Sequence, residues 1–310
     1  MALSVSRTKG WQDVEIVAGS SRPPPRVGAT LTCIEVPLHA KGLTKEEVEM
    51  ATVASEAQQY GLFLFGGDDK DDRQTDWLHV YYLQDRKWVK PTTTGRNPTK
   101  RSRHTANTFA DPKTGTPRLL LFGGVNASNA LSVLDPWEFN WTHPSAKAAQ
   151  VGIFGRRGRR QSNNSRDQEE EIPTLPCARF GHTTLYYEQK LYVFGGRDHQ
   201  GVLKDVFELQ LAKEPFEWHR PEPACAARHS HPCVTIHAGI LTRPSTTAGS
   251  GHPPPPSAKH TAALARDHML IISGETSWAG HLWALKLTPP LTWFRSAVGD
   301  FPLIGLSRHR

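Results

Sequence analysis

Four short apolar runs recur along the chain, and each ends on a pair of small residues followed at once by a polar turn. The runs are LFLFGGDD (62–69), LLLFGGVN (119–126), LYVFGGRD (191–198) and MLIISGET (269–276). One such run predicts a buried strand that ends in a turn. Four of them predict an internal repeat, with one departure, Ser273-Gly274 in place of two glycines.

The surroundings of each run repeat as well. A basic residue with His or Thr close behind precedes each run, and a second strand-like segment follows it (76–83, 130–135, 205–211 and 281–287). A tryptophan comes 17 to 22 positions after each small pair: Trp88, Trp141, Trp218 and Trp293. The unit is therefore four short strands, and such sheets bury both faces when they stack radially as the blades of a β-propeller.

The repeat gives its glycines and tryptophans structural roles. A strand that stops near a crowded axis needs a positive φ or a close backbone approach, which glycine allows at low cost. Tryptophan supplies a large apolar plate between neighbouring blades. Together, the glycine pair and the later tryptophan resemble the kelch-repeat family over residues 11–310. The resemblance implies an all-β, kelch-type β-propeller and leaves the function open.

The repeat spacing predicts one propeller domain of six blades, incomplete at the C-terminus and with one degenerate blade, and five blades stay an alternative. The predicted parts are a closing strand at 11–17, blade one at 26–88, blade two at 103–141, blade three at 179–218, a degenerate blade at 228–258, blade five at 259–293 and the start of the last blade at 305–310. We therefore expect the sequence to be a fragment. We also expect a short helix over 42–59, a disordered insertion over 142–175 and a proline-rich segment over 242–258.

The resemblance implies that the blade openings and the loops after the glycine pairs share one face around the central channel. Arginines there could bind carboxylates bidentately. The residues expected to contact a partner are Arg103, Arg179, Arg197, Asp198, Arg228, Asn126 and Glu275. The alternative for each repeated arginine is a bond to backbone or carboxylate of a neighbouring blade. Arg197 is not a repeat position, which makes it the stronger candidate for specificity.

The sequence shows no nucleophile–base pair, phosphate-binding loop or zinc spacing, so we expect a chain that is not an enzyme and has no cofactor. The expected function is a protein-interaction module that binds a partner protein or an acidic peptide through the loop face. Two alternatives stay open. One is the substrate-recognition subunit of a ubiquitin ligase. The other is the accessory propeller of an RNA- or protein-modifying enzyme whose catalytic domain is not in this chain.

Charge and cysteine content indicate which partners the chain could bind and in which compartment it could lie. The net charge of +7 suits acidic partners. We expect no nucleic-acid partner, because the basic run FGRRGRR (154–160) is partly cancelled by DQEEE (167–171), although RNA binding or nuclear localisation by this run stays an alternative. His229 and His231, even with His260 nearby, make a weak case for metal. The four cysteines form no CxxC pair, and the sequence shows no secretory signal or long apolar run. These features predict a monomeric cytoplasmic or nuclear protein with no membrane contact.

Overall fold

The computed structural model describes residues 17, 19–37, 58–149, 175–221, 224–225, 235–237, 240–242, 253–272 and 282–296. Every regular element in these ranges is a β-strand, which confirms the all-β class. No helix that could cross a membrane occurs in this part of the chain.

Four antiparallel sheets of four strands each form successive blades. The first comprises β1 (Thr30–Pro37), β2 (Gln58–Phe65), β3 (Leu78–Tyr82) and β4 (Lys87–Val89). The second comprises β6 (Thr105–Ala110), β7 (Pro117–Phe122), β8 (Ser132–Asp135) and β9 (Asn140–Thr142). The third comprises β11 (Thr183–Tyr187), β12 (Lys190–Phe194), β13 (Val206–Gln210) and β14 (Phe216–His219), and the fourth comprises β18 (Thr261–Ala265), β19 (His268–Ile272), β20 (Leu282–Lys286) and β21 (Thr292–Ser296).

Short segments extend the outer edge of each blade. The strands β5 (Thr94–Gly95), β10 (Ala146–Ala148) and β15 (Ala224–Cys225) run parallel to β9, β14 and β21, the last strands of the blades that follow them in sequence. Residues 17 and 19–21 lie beside β4 in the same way, because the amides of Val17 and Ser21 donate to the carbonyls of Arg86 and Trp88, at 3.2 and 3.0 Å. We call these four stretches the edge segments. Each brings chain from before a blade onto that blade's outermost strand.

The blades follow one another in chain order. The first strand of each blade contacts the first strand of the next, β1 with β6, β6 with β11, and β11 with β18. Apolar clusters fill the space between blades, since the strands are buried on both faces; in β7, for example, Leu119 to Phe122 are all buried. Three of the four predicted tryptophan plates are present: Trp141, Trp218 and Trp293 are buried and pack on Phe65, Phe122 and Phe194 of the preceding blade. Trp88 is half-buried and contacts Tyr81 of its own blade.

The blade count differs from the six expected, because the described residues form four. The sheet of β18–β21 packs directly on the third blade, with Trp293 5.5 Å from Phe194 between ring centroids. The described residues of the predicted degenerate blade at 228–258 therefore do not form a blade between these two sheets. The described strands of that stretch are β16 (Thr235–His237) and β17 (Ile240–Thr242), which form a separate two-stranded hairpin.

Two insertions also differ from expectation where the structure describes them. The predicted helix at 42–59 extends too far, because Gln58 and Gln59 belong to strand β2. The rest of the predicted helix, residues 42–57, lies outside the described residues. The expected disordered insertion at 142–175 begins too early, because β10 pairs with β14. Residues 150–174, the closing strand except Val17, and the start of the last blade at 305–310 all lie outside the described residues.

Candidate functional site

The glycine pairs join each blade to the opening of the next. In the second blade, a Cβ on Gly123 would lie 2.5 Å from the carbonyl oxygen of Arg179 and 2.5 Å from Cε1 of His182. The amide of Gly124 donates to that same carbonyl at 2.8 Å. A side chain at the first position would collide with backbone, so only glycine fits. The same bond recurs from Gly67 to Arg101 at 2.9 Å and from Gly196 to Ser257 at 2.8 Å.

The repeated opening arginine serves the blade interior. Nη1 of Arg26, Arg101 and Arg179 donates to the first glycine carbonyl of its own blade, at 3.2, 3.2 and 3.1 Å. The arginine of blade two that is equivalent to Arg26 and Arg179 is thus Arg101. The predicted blade boundary at 103 had implied Arg103, which is wrong. Arg101 is buried, and burial lowers its pKa to about 10.

Arg179 is not available to a partner, which corrects its prediction as a contact residue. Its side chain is fully buried and forms a bidentate ion pair with Asp205, at 2.6 and 3.0 Å. The guanidinium also lies over the ring of Phe207, 5.2 Å from its centroid. These bonds hold the opening of blade three against β13 and agree with the alternative interpretation of the repeated arginines.

Two other cations are exposed at the blade openings, in structurally equivalent positions. The position is occupied in successive blades by Gly28, Arg103, Gly181 and Lys259, all with φ between 54° and 70°. The last three of these amides donate to the equivalent carbonyl of the preceding blade: Arg103 to Gly28 at 2.7 Å, Gly181 to Arg103 at 3.0 Å and Lys259 to Gly181 at 2.9 Å. The backbone is thereby fixed while the side chains of Arg103 and Lys259 are exposed.

The loops after the glycine pairs lie beside these openings. Arg197 forms two backbone hydrogen bonds with Phe180, at 2.9 and 3.0 Å, and its side chain is exposed. Asp68 pairs with Val27 in the same way, and its carboxylate lies 3.9 Å from Nη2 of Arg103 in the next blade. The openings and the post-glycine loops of the described blades therefore share one face, which we call the glycine-pair face.

Asn126 and Asp198, two of the predicted contact residues, differ in the hydrogen bonds that their side chains already make. The exposed Asn126 donates through Nδ2 to Gln74 of the preceding blade at 2.7 Å. Asp198 accepts the amides of Gln200 and Gly201, at 2.8 and 2.9 Å. Burial raises the pKa of Asp198, but these hydrogen bonds outweigh it and the net pKa is lowered. Its carboxylate thus shapes its own loop.

Three buried histidines lie beneath the face at equivalent positions. Nε2 of His104, His182 and His260 is 2.9 Å from the hydroxyl of Thr30, Thr105 and Thr183 in the preceding blade. Burial lowers the pKa of His104 to about 3, that of His260 to about 4, and that of His182 well below its usual value. The rings are neutral near pH 7 and act as spacers between blades. No group of potential metal ligands occurs among the described residues.

Of the predicted contact residues, the structure places Arg103, Asn126 and Arg197 at the surface of the glycine-pair face, and Asp198 beside them. Arg228 and Glu275 lie outside the described residues. Lys259 is an exposed cation of this face that sequence reasoning missed. The spacing of three residues from Arg101 to His104 and from Arg179 to His182 carried the information needed to align the openings correctly.

The family follows from comparison with known proteins. The family of KLHDC2/KLHL20/DRC7 Kelch-repeats domains matches residues 62–243. The chain belongs to this kelch-repeat family. This kelch chain is 27% identical over 154 residues to Kelch repeat-containing protein 2 of Saccharomyces cerevisiae, covering 48% of this chain and 15% of that protein. It is 25% identical over 198 residues to serine/threonine-protein phosphatase BSL2 of Arabidopsis thaliana, covering 64% of this chain and 14% of that protein.

The kelch chain thus spans about a seventh of the length of these two relatives. A solved chain in a cryo-EM structure of RAG in complex with one melted RSS and one unmelted RSS is similar to it with a TM-score of 0.51 and 12% identity. That similarity covers 93% of this chain and 71% of the solved one, and at this identity it shows the fold alone.

Proposed function

We propose that this kelch chain is a non-enzymatic interaction module that binds an acidic peptide segment of a partner protein through the glycine-pair face. The observation that carries the proposal is the exposure of Arg103, Arg197 and Lys259, from three successive blades, on one face. Guanidinium groups bind carboxylates through paired hydrogen bonds, and an ammonium group adds a point charge. Because the backbone at each site is already fixed by hydrogen bonds, little main-chain conformational freedom is lost on binding.

The glycine-pair face supports this reading in a second way. Loops that a rigid scaffold holds together are the usual place for recognition residues. The repeated parts of these loops are used internally, by Arg101, Arg179 and the buried histidines. The exposed cations stand where the repeats differ from one another, so they are the positions that could specify one partner.

A charge-matched pair of triple variants tests the proposal. Fluorescence polarisation would follow binding of a fluorescein-labelled octaglutamate peptide to the full chain. We expect Arg103→Gln/Arg197→Gln/Lys259→Gln to weaken binding by about tenfold or more, and added salt to weaken binding to the unaltered chain. The control Arg86→Gln/Lys147→Gln/Lys213→Gln removes the same charge from exposed positions away from this face.

The control triple should bind octaglutamate within about twofold of the unaltered chain, because net charge alone contributes only a screened, long-range attraction. Equal losses in the two triples would mean that binding follows net charge, and the proposed face would be rejected. Failure of octaglutamate to bind the unaltered chain at low salt would also reject it.

A second candidate is favoured by the similarity to a protein named as a serine/threonine-protein phosphatase. In this case the chain would be the accessory propeller of a protein-modifying enzyme whose catalytic part lies elsewhere. The mass of the native product compared with the 34.5 kDa of this sequence would distinguish the candidates. A larger product with phosphatase activity would support the second candidate, and a 34.5 kDa product that purifies without an enzyme would refute it. The role in a ubiquitin ligase stays a prediction.

A further inference from the structure

A cavity of about 250 Å³ lies between the second and third blades, at the strand ends opposite the glycine pairs. Its floor is apolar and includes Phe109, Val133 and Phe216. Its rim carries three carboxylates, those of Asp111, Asp135 and Glu214. Both blades contribute to this cavity, as Phe109 and Phe216 meet edge to face with centroids 6.1 Å apart.

The sequence builds the cavity through an unusually long hairpin connection. Residues 111–116 connect β6 to β7, whereas only Glu188 and Gln189 connect β11 to β12 in the third blade. Asp111 folds the long connection back on itself by accepting the amide of Lys113 at 2.8 Å. The folded loop raises one wall of the cavity, and Glu214, between β13 and β14, raises the opposite wall.

The walls of the cavity are acidic, although the chain as a whole carries a net charge of +7. One guanidinium, that of Arg118, also lines the cavity and bridges Asp111 at 3.3 Å and Asp135 at 2.7 Å. Lys113 pairs with Glu214 at the rim. Oδ1 of Asp111 and Oδ1 of Asp135 also accept backbone amides, but a carboxylate has about four acceptor positions, so each can take a further donor. The three carboxylates face two cations, Arg118 in the lining and Lys113 at the rim, so one net negative charge remains and favours a positively charged guest.

The size and the lining indicate the class of guest. Drug-sized ligands occupy about 300–1,000 Å³, so this smaller cavity suits a single side chain. An apolar floor under an acidic rim matches the amphipathic side chains of arginine and lysine, which have an apolar stem and a charged head. A metal ion is disfavoured, because no group of potential metal ligands occurs within the described ranges.

We propose that this cavity binds an arginine or lysine side chain of a basic peptide segment. The stem lies over Phe109, Val133 and Phe216, and the cationic head reaches Glu214 and Asp135. The site is separate from the glycine-pair face, so it does not depend on the function proposed above. The chain would then have two recognition sites of opposite charge, one at each end of its strands.

The experiment uses the full chain with labelled methyl groups, because Val133 gives a reporter in the cavity floor. The probe is N-acetyl-arginine amide, with N-acetyl-citrulline amide as its neutral counterpart of similar shape. We expect arginine amide to shift the Val133 methyl signals at millimolar concentration, and citrulline amide to bind about tenfold more weakly or less. No shift by arginine amide up to about 20 mM would overturn the proposal.

Three variants make the assignment specific. Glu214→Gln removes a lining charge and should weaken arginine binding about threefold or more, whereas Glu138→Gln removes an exposed carboxylate that does not line the cavity and should not. Thr142→Arg places a guanidinium of the chain itself at an exposed lining position and should abolish the shifts. Unchanged methyl signals from the fourth blade would show that each variant is folded. Equal effects of the two glutamate variants, or persistent binding to Thr142→Arg, would overturn the proposal.

Discussion

At the scale of single residues, Gly123 and Gly115 have almost the same φ angle in very different surroundings. Their φ angles are 66° and 72°. A Cβ on Gly123 would meet the backbone of the next blade at 2.5 Å, while nothing lies within 4 Å of a Cβ on Gly115. The two positions therefore separate the cost of a left-handed backbone from the cost of a close approach between blades.

Gly123→Ala is expected to lower the free energy of unfolding by several kcal/mol more than Gly115→Ala. Both alanines carry the cost of a positive φ, about 1 kcal/mol. Only alanine at 123 must also push apart the carbonyl of Arg179 and the ring of His182. Urea denaturation of both variants at pH 7.5 would measure the difference. Equal losses would show that the blade opening moves away without cost and that the glycine is needed only for its φ.

The need for close approach at the glycine pairs could be predicted from the sequence, because the pair recurs with a strand before it and a tryptophan after it. The alignment of the openings was harder. Arg103 lies 15 residues after Trp88, as Arg26 lies 15 after Trp11, and this equality favoured the wrong arginine. Loop lengths between blades vary freely, whereas the spacing from arginine to histidine is fixed by the bonds that both make.

At the scale of elements, the opening segment of the third blade is held to its strands by one buried ion pair. Arg179 links this segment to the carbonyl of Gly195, at the end of β12, and to Asp205, just before β13. The side chain of Arg103, at the surface of the neighbouring blade, is 43% exposed. Its ion pair with Asp68 is long, with 3.9 Å between Nη2 and the carboxylate oxygen. One arginine is therefore structural, and the other is available to a partner.

Arg179→Gln is expected to lower the free energy of unfolding by about 3 kcal/mol, because Asp205 and the carbonyl of Gly195 lose a buried charged donor. Arg103→Gln should change it by about 0.5 kcal/mol or less, as exposed ion pairs contribute little. Urea denaturation would measure both. The double variant Arg179→Gln/Asp205→Asn should recover part of the loss, since no unpaired charge remains. A stable Arg179→Gln variant would contradict the structural role.

Periodicity predicted the strands of the blades well, but it could not predict the edge segments. β5, β10 and β15 are two or three residues long, and their sequences have no alternating pattern that would indicate a strand. They form because the chain crosses the outer edge of the next blade, where the last strand has backbone N–H and C=O groups that its own sheet leaves unpaired. Tertiary position, and not local preference, determines them.

At the scale of the whole molecule, a histidine is buried at each of the three described interfaces between blades. Each is neutral in the folded chain, because burial lowers the pKa of His104 to about 3 and that of His260 to about 4. Burial also lowers the pKa of His182 well below its usual value. In the unfolded chain histidine titrates near its ordinary pKa of about 6.5. Acid therefore favours the unfolded chain, because its histidines bind protons at a pH at which the buried histidines of the folded chain stay neutral.

Stability is expected to be full above pH 6.5 and to fall as the pH drops from about 6.5 towards 4, by as much as about 1.4 kcal/mol per pH unit for each histidine. Carboxylates with lowered pKa values, such as Asp111 and Asp198, lose their contribution only at lower pH. Urea denaturation between pH 7.5 and 5 would measure the slope. His104→Ala, which copies Ala29 at the equivalent position of the first blade, should remove about a quarter of it, because His79, whose pKa burial also lowers to about 4, contributes as well. An unchanged slope in that variant would refute the assignment.

The kelch architecture could be predicted from the sequence because its signature is local and repeated. The number of blades could not be read in the same way. An arginine and a histidine at 228 and 231 resemble an opening, yet the sheet of β18–β21 occupies the place next to the third blade. A single opening motif identifies a blade only when an apolar strand, a pair of small residues and a tryptophan follow it.

The edge segments have a consequence for how copies of this protein behave at high concentration. A sheet with a long bare edge is a template on which a strand from another molecule can add, and repeated addition leads to fibrils. Here the last strand of every described blade is covered by chain from before that blade. The part of each of these outermost strands that stays uncovered is only a few residues long. The connections between blades therefore also protect the protein against self-assembly.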